Sequence, residues 1–163
     1  MSDSLDTLEN ITYDELNEGD SATFTRTLTE DELVLFAAVS GDVNPVHLDS
    51  KFAAESMFKE RIAHGMWSGS LISAALATVM PGPGTIYLEQ SLAFKRPVRL
   101  DDTLIVTLTV LRKEPKKRVV FQCDVRNQNG DQVVSGEAKV IAPSEKISLQ
   151  KPRLPRITIE NHE

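Results

Sequence analysis

Cysteine is almost missing from this chain. Cys123 stands alone among 163 residues, so no intramolecular disulfide can form and no multi-cysteine metal site exists. A single thiol fits a reducing, cytoplasmic location. Cationic excess is missing as well. The 18 Lys and Arg face 24 Asp and Glu, a formal net charge of −6, which excludes broad nucleic-acid binding because that needs a basic footprint. Long apolar runs are also lacking. The longest, Met66 to Met80, is broken by Ser68, Gly69, Ser70, Ser73 and Thr78, too short and too polar to span a bilayer. Met1 to Asn10 is acidic and polar, without the basic stretch and apolar core of a secretory signal. There is no internal repeat.

What remains is an ordinary soluble composition, 40% hydrophobic and 26% charged, in a length that suits one domain with a sizeable core. The expected organisation is a loose leader over 1–12, a folded domain over 13–143 and a proline-containing tail over 144–163. Ile147, Leu149, Leu154, Ile157 and Ile159 give that tail apolar residues with which to pack along a surface.

Ser21 to Leu28 is strand-like. Thr29 and Glu32 then form a capping box, an apolar stripe of Leu33, Phe36, Ala37 and Val39 follows, and Gly41 ends the helix. Asp49 is placed to cap a second short helix carrying Phe52 and Ala53. A third helix is predicted from His64-Gly65 to about Met80. Small residues occur on nearly every face of it (Gly65, Gly69, Ser70, Ser73, Ala74, Ala75, Ala77), which marks a buried helix gripped by a sheet. Pro81-Gly82-Pro83-Gly84 stops it.

Alternation takes over from there. Ile86, Leu88, Leu92 and Phe94 share one parity, with Gln90 the polar exception. Leu104, Val106, Leu108 and Val110 make a second set, Val119, Phe121, Cys123 and Val125 a third, and Val134, Ala138 and Val140 a fourth. Period-two patterning of this kind means half-buried antiparallel strands, and Asn129-Gly130 signals a tight hairpin. The expected architecture is α+β, a sheet whose apolar face wraps one long helix.

Polar chemistry is densest in Ser40-Gly41-Asp42-Val43-Asn44-Pro45-Val46-His47-Leu48-Asp49. Pro45 stiffens this loop and pushes Asn44 out of the helical region, which suits two groups that must hold a fixed separation. A carboxylate and an imidazole so placed suit general acid–base work. The same spacing also fits Asp42 as a turn cap and His47 as an ordinary loop histidine. A metal site is disfavoured: the calcium-loop template meets Val46 and His47 where it needs an oxygen ligand and Gly, and Asp49 is better used as a cap. The second candidate is Ile62-Ala63-His64-Gly65-Met66. Free amides at a helix start bind anions, and a thioester oxygen placed there would be polarised. Gly65 as a packing residue and His64 as a cap are the equally open alternatives.

These strings, with Pro81-Gly82-Pro83-Gly84-Thr85-Ile86-Tyr87-Leu88 and Phe94-Lys95-Arg96-Pro97-Val98, resemble the MaoC-like dehydratase family over about Tyr13 to Ala142. Within it they are similar to the bacterial (R)-specific enoyl-CoA hydratases that feed polyhydroxyalkanoate synthesis. The resemblance implies a hot-dog fold, a homodimer with sheets joined edge to edge, and an acyl-CoA thioester substrate, with no cofactor. It also implies roles. Asp42 and His47 match the catalytic pair, the Gly65 amide matches the oxyanion donor, and Ser73 matches a serine that hydrogen-bonds within the site. Asn44 holds the loop, Arg96 is the foremost cation for CoA phosphates, and Met66 and Trp67 are candidates to line the acyl tunnel. A second group of cations is Lys113, Lys116, Lys117 and Arg118. The alternatives are a hot-dog thioesterase, against which the Asp-x-Asn-Pro-x-His spacing argues, and a non-catalytic acyl-CoA or acyl-carrier-protein binding module.

Overall fold

The computed structural model describes residues 7–160; the first six residues of the expected leader and the last three of the tail lie outside the described residues. The elements are, in chain order, β1 (Thr7–Glu9), β2 (Ser21–Thr27), α1 (Glu30–Ser40), α2 (Pro45–Leu48), α3 (Ser50–Glu55), α4 (Gly65–Thr78), β3 (Ile86–Gln90), β4 (Ala93–Phe94), β5 (Thr103–Glu114), β6 (Arg118–Arg126), β7 (Gln132–Ile141) and β8 (Ser148–Gln150). The main sheet is antiparallel, in the order β2-β5-β6-β7-β3, with β4 also on β7. α4 packs against β5 and β2. This is the α+β, hot-dog arrangement of a sheet around a central helix.

Three of the four alternating sets line the core as predicted. Leu104, Val106, Leu108 and Val110 are buried, as are Val119, Phe121, Cys123 and Val125, and Val134, Ala138 and Val140. Period two puts each set on one face, and burying that face is the main gain from folding. The set on β3 does not hold. The register shifts between Tyr87 and Glu89, so that Tyr87 pairs with Val140 and Gln90 with Ala138, while Ile86 pairs with Ile141 and Glu89 with Lys139. Paired residues share a face, so Tyr87 and Gln90 lie on the face of Val140 and Ala138, although Tyr87, like Ile86 and Leu88, stays exposed. A bulge inserts one residue and reverses the parity beyond it.

Gly136 explains the gap in the β7 set. A Cβ there would lie 1.8 Å from the Ser91 carbonyl oxygen, so the chain between β3 and β4 occupies the space that a side chain would need. The hairpin after β6 is wider than predicted. Asn127 Oδ1 accepts from the amides of Asn129 and Asp131, and Gly130 takes a positive φ of 83°.

α1 is capped by Thr29, whose side chain accepts from the Glu32 amide, and closed by Gly41 at φ 77°. The capping box is only half made, because the Glu32 carboxylate turns to Arg26. Val39 is not part of the buried stripe; it is 87% exposed, while Leu33 and Ala37 are buried. α4 departs from expectation in a similar way. It buries Trp67, Ser68, Gly69, Leu71, Ile72, Ala75 and Leu76, but leaves Met66, Ser70 and Ala77 exposed along one flank. The sheet covers one side of the helix only. At the ends of the chain, β1 pairs with β8. Buried Asn10 ties them to the turn after α4, donating to Pro83 O and Glu145 O and accepting from Ile147 N. No helix among the described residues is long and apolar enough to cross a membrane.

Candidate active site

The segment after α1 is more ordered than a loop. Asn44, extended at ψ 125°, caps the short helix α2 through its side chain, and Pro45 opens it, a position where a missing N–H costs nothing. Asp49 caps α3, accepting from the amides of Lys51 and Phe52. Asn44 and Asp49 are therefore engaged in building the scaffold. Asp42 caps a turn as well: its Oδ1 accepts from the Asn44 amide at 3.1 Å. That leaves Oδ2, which faces His47 Nε2 at 3.8 Å.

His47 is buried, and its Nδ1 lies 2.8 Å from the Ile62 carbonyl oxygen. A carbonyl only accepts, so Nδ1 carries a proton, and in the neutral form of the ring Nε2 bears the lone pair that faces Asp42. The segment supplying that carbonyl is tied down on three sides. Ile62 N donates to Val46 O, Ala63 N donates to Val98 O, and Arg61 forms a two-pronged pair with Glu30 at 2.6 and 2.7 Å. The guanidinium holds the Glu30 carboxyl below the usual carboxylate range.

Gly65 is the first residue of α4, so its amide has no acceptor within the helix. The Phe94 ring stands over it, 3.0 Å from where a Cβ would be. Two clefts meet at His64, Gly65 and Phe94. One, of about 350 Å³, is lined also by Phe36, Ser40, Asp42 and Met66. The other, of about 320 Å³, runs past Ser68 and Val133 to Lys95 and Arg96. Asp42, Gly65, Met66 and Arg96 thus line these two clefts, while His47 lines neither and reaches them through its contacts with Asp42 and His64.

Other expected residues lie elsewhere. Trp67 is buried on another flank of α4, in a groove with Phe24, Phe36 and Leu71. Ser73 is half-buried two turns into α4 and lines neither of the two clefts. Lys116 and Lys117 sit in the turn joining β5 to β6, at the strand end away from the clefts, and Lys113 donates to Leu16 O.

One participant was not legible as such. His64 is buried, its ring stacks on His47 with centroids 3.7 Å apart, and its Nε2 lies 2.8 Å from the Asp42 main-chain oxygen. Asp42, His47 and His64 place potential ligand atoms within 4.8 Å of one another. Each ring engages one nitrogen with a backbone carbonyl, His47 through Nδ1 and His64 through Nε2.

Comparison with known proteins agrees with the fold. Residues 15–141 match the family model described as MaoC like domain. The chain belongs to the MaoC-like family. It is 44% identical over 132 residues to an (R)-specific enoyl-CoA hydratase of Rhodospirillum rubrum, covering 81% of this chain and 92% of that one. Among solved MaoC-like structures, the unliganded R-hydratase PhaJ1 from Pseudomonas aeruginosa superposes with a TM-score of 0.92 and 58% identity, covering 94% of this chain and 99% of that one. The (R)-hydratase from A. caviae involved in PHA biosynthesis superposes with a TM-score of 0.76 and 40% identity, covering 78% and 98%.

Proposed function

We propose that the protein is an (R)-specific enoyl-CoA hydratase, a hydro-lyase that adds water across trans-2-enoyl-CoA to give (R)-3-hydroxyacyl-CoA. The observation that carries this reading is the pair Asp42 Oδ2 and His47 Nε2, two acceptors facing each other at 3.8 Å. A water about 2.8 Å from each meets them at an angle of roughly 85°, near enough to its own bond angle to donate one hydrogen to each. Its oxygen lone pair is then free to attack C3.

As the C3–O bond forms, the Asp42 carboxylate takes one proton from the water, and the C2=C3 electron pair moves toward the thioester carbonyl. The Gly65 amide at the start of α4 donates to that developing enolate oxygen. The proton then passes from the Asp42–His47 pair to C2 on the face the water entered, which makes the addition syn and leaves Asp42 ionised again. Met66 borders the reacting end. Arg96, with Lys95, meets the CoA phosphates, a local cation group in an acidic chain. The product supplies monomers for polyhydroxyalkanoate synthesis. The working unit is a cytoplasmic homodimer, and the exposed side chains of β3 and of one flank of α4 are consistent with a covered face.

The test is loss of conjugated-enoyl ultraviolet absorbance on adding protein to crotonyl-CoA, with the product's configuration and free thiol determined. Fast loss giving the (R)-alcohol without thiol supports the reading. Thiol release makes the protein a thioesterase. Binding without turnover, on short and long chains and on carrier-protein thioesters, makes it a binding module.

A further inference from the structure

We propose that His64 is a positioning residue that holds Asp42 and His47 in mutual register; this rests on the reading of those two as the water-handling pair. His64 stands as the cap residue of α4 yet makes no side-chain capping bond. Its polar capacity goes to the opposite element. Nε2 donates to the main-chain oxygen of Asp42 at 2.8 Å, and the ring face lies on His47 at 3.7 Å between centroids and 27° between planes. One buried side chain, 3% exposed, therefore touches both members of the pair.

The two contacts constrain different things. The hydrogen bond fixes the backbone of Asp42, and hence where Oδ2 can reach. The stack fixes the plane of the His47 imidazole, and hence where the Nε2 lone pair points. The Ile62 carbonyl anchors only the far side of that ring, leaving rotation about this anchor free; the stacked ring removes it. Phe36, tilted at 48° with its centroid 5.1 Å away, backs His64 from another side. His64 Nδ1 has no hydrogen-bond partner among the described residues, so Nε2 makes the ring's polar contact. Distances between reacting groups govern rate steeply, and a misplacement of about 1 Å costs about 100-fold.

The experiment compares His64→Ala, His64→Phe and His64→Gln with the wild type in turnover of crotonyl-CoA. It adds thermal unfolding and the imidazole ¹⁵N spectrum of His47. The alanine variant is expected to lose about 10- to 100-fold in kcat with KM within about threefold. Phenylalanine restores the stacked ring and glutamine restores a donor, so each recovers part of the loss. The His47 ¹⁵N resonances of the alanine variant shift and broaden as the ring loses its fixed plane about the Ile62 anchor. Wild-type kcat in all three variants overturns the proposal. So do equal losses in all three that track a fall in Tm, or a rise in KM with kcat untouched. A wild type without turnover refutes the hydratase reading instead, and the His47 spectrum then decides: no change on His64→Ala overturns positioning.

Discussion

Asp42→Asn isolates the proposed base better than any deletion. The asparagine Oδ1 can still accept from the Asn44 amide, now bonded at 3.1 Å, so the turn into α2 keeps its cap. What changes is the atom 3.8 Å from His47 Nε2. An acceptor becomes an NH₂ donor, which bonds to the imidazole lone pair and leaves the water with neither proton acceptor. Loss of a general base costs about 10²- to 10⁴-fold, or about 2.7–5.4 kcal/mol of transition-state stabilisation at 1.36 kcal/mol per tenfold. The loss should fall on kcat, because the carboxylate acts on the water and not on the bound thioester. The side chain is half-exposed, so stability should move by about 0.5 kcal/mol or less. Crotonyl-CoA absorbance with matched urea unfolding measures both. Activity within about threefold of wild type would refute the reasoning, as would a loss accounted for by unfolding.

Three further outcomes are expected. Gly136→Ala places a methyl 1.8 Å from the Ser91 carbonyl oxygen, a backbone atom that must shift, so the urea midpoint should fall by the equivalent of about 3 kcal/mol; an unchanged midpoint counts against that approach. Glu30→Gln removes the Arg61 pair. Because Arg61 depresses the Glu30 carboxyl, the stability it adds is present above the unfolded carboxyl's pKa and disappears as pH falls through the folded value. The variant should be weaker near neutrality by up to about 1 kcal/mol and converge with wild type in acid; a pH-independent difference would show a different origin. Cys123 is buried, and burial pushes its thiol up to about 11, so a thiol reagent should label it only as fast as the protein unfolds; rapid labelling of native protein would contradict this.

Much of this molecule was legible from residue order because the relevant signals are local. Strands half-buried on one face must alternate, and β5, β6 and β7 do. Pro45 constrains its own φ and its neighbour's conformation wherever it stands, so the stiffness between Asp42 and His47 could be read from that stretch alone. Gly41 ending α1 and Asp49 capping α3 belong to the same class. What the pattern could not carry were approaches between distant backbones and choices of flank. The bulge at Leu88 put Tyr87 and Gln90 on the face of Val140 and Ala138 because register is set against β7. Gly136 is explained only by the Ser91 carbonyl that closes on it. Trp67 and Met66 are chain neighbours on α4, yet they lie on different flanks, and the sheet decides which one faces Asp42. His64 shows the division most plainly. Its place at a helix start was visible in the sequence, but its stack on His47 exists only once α2 and α4 are packed together, since ring contacts depend on three-dimensional proximity and leave no periodic trace.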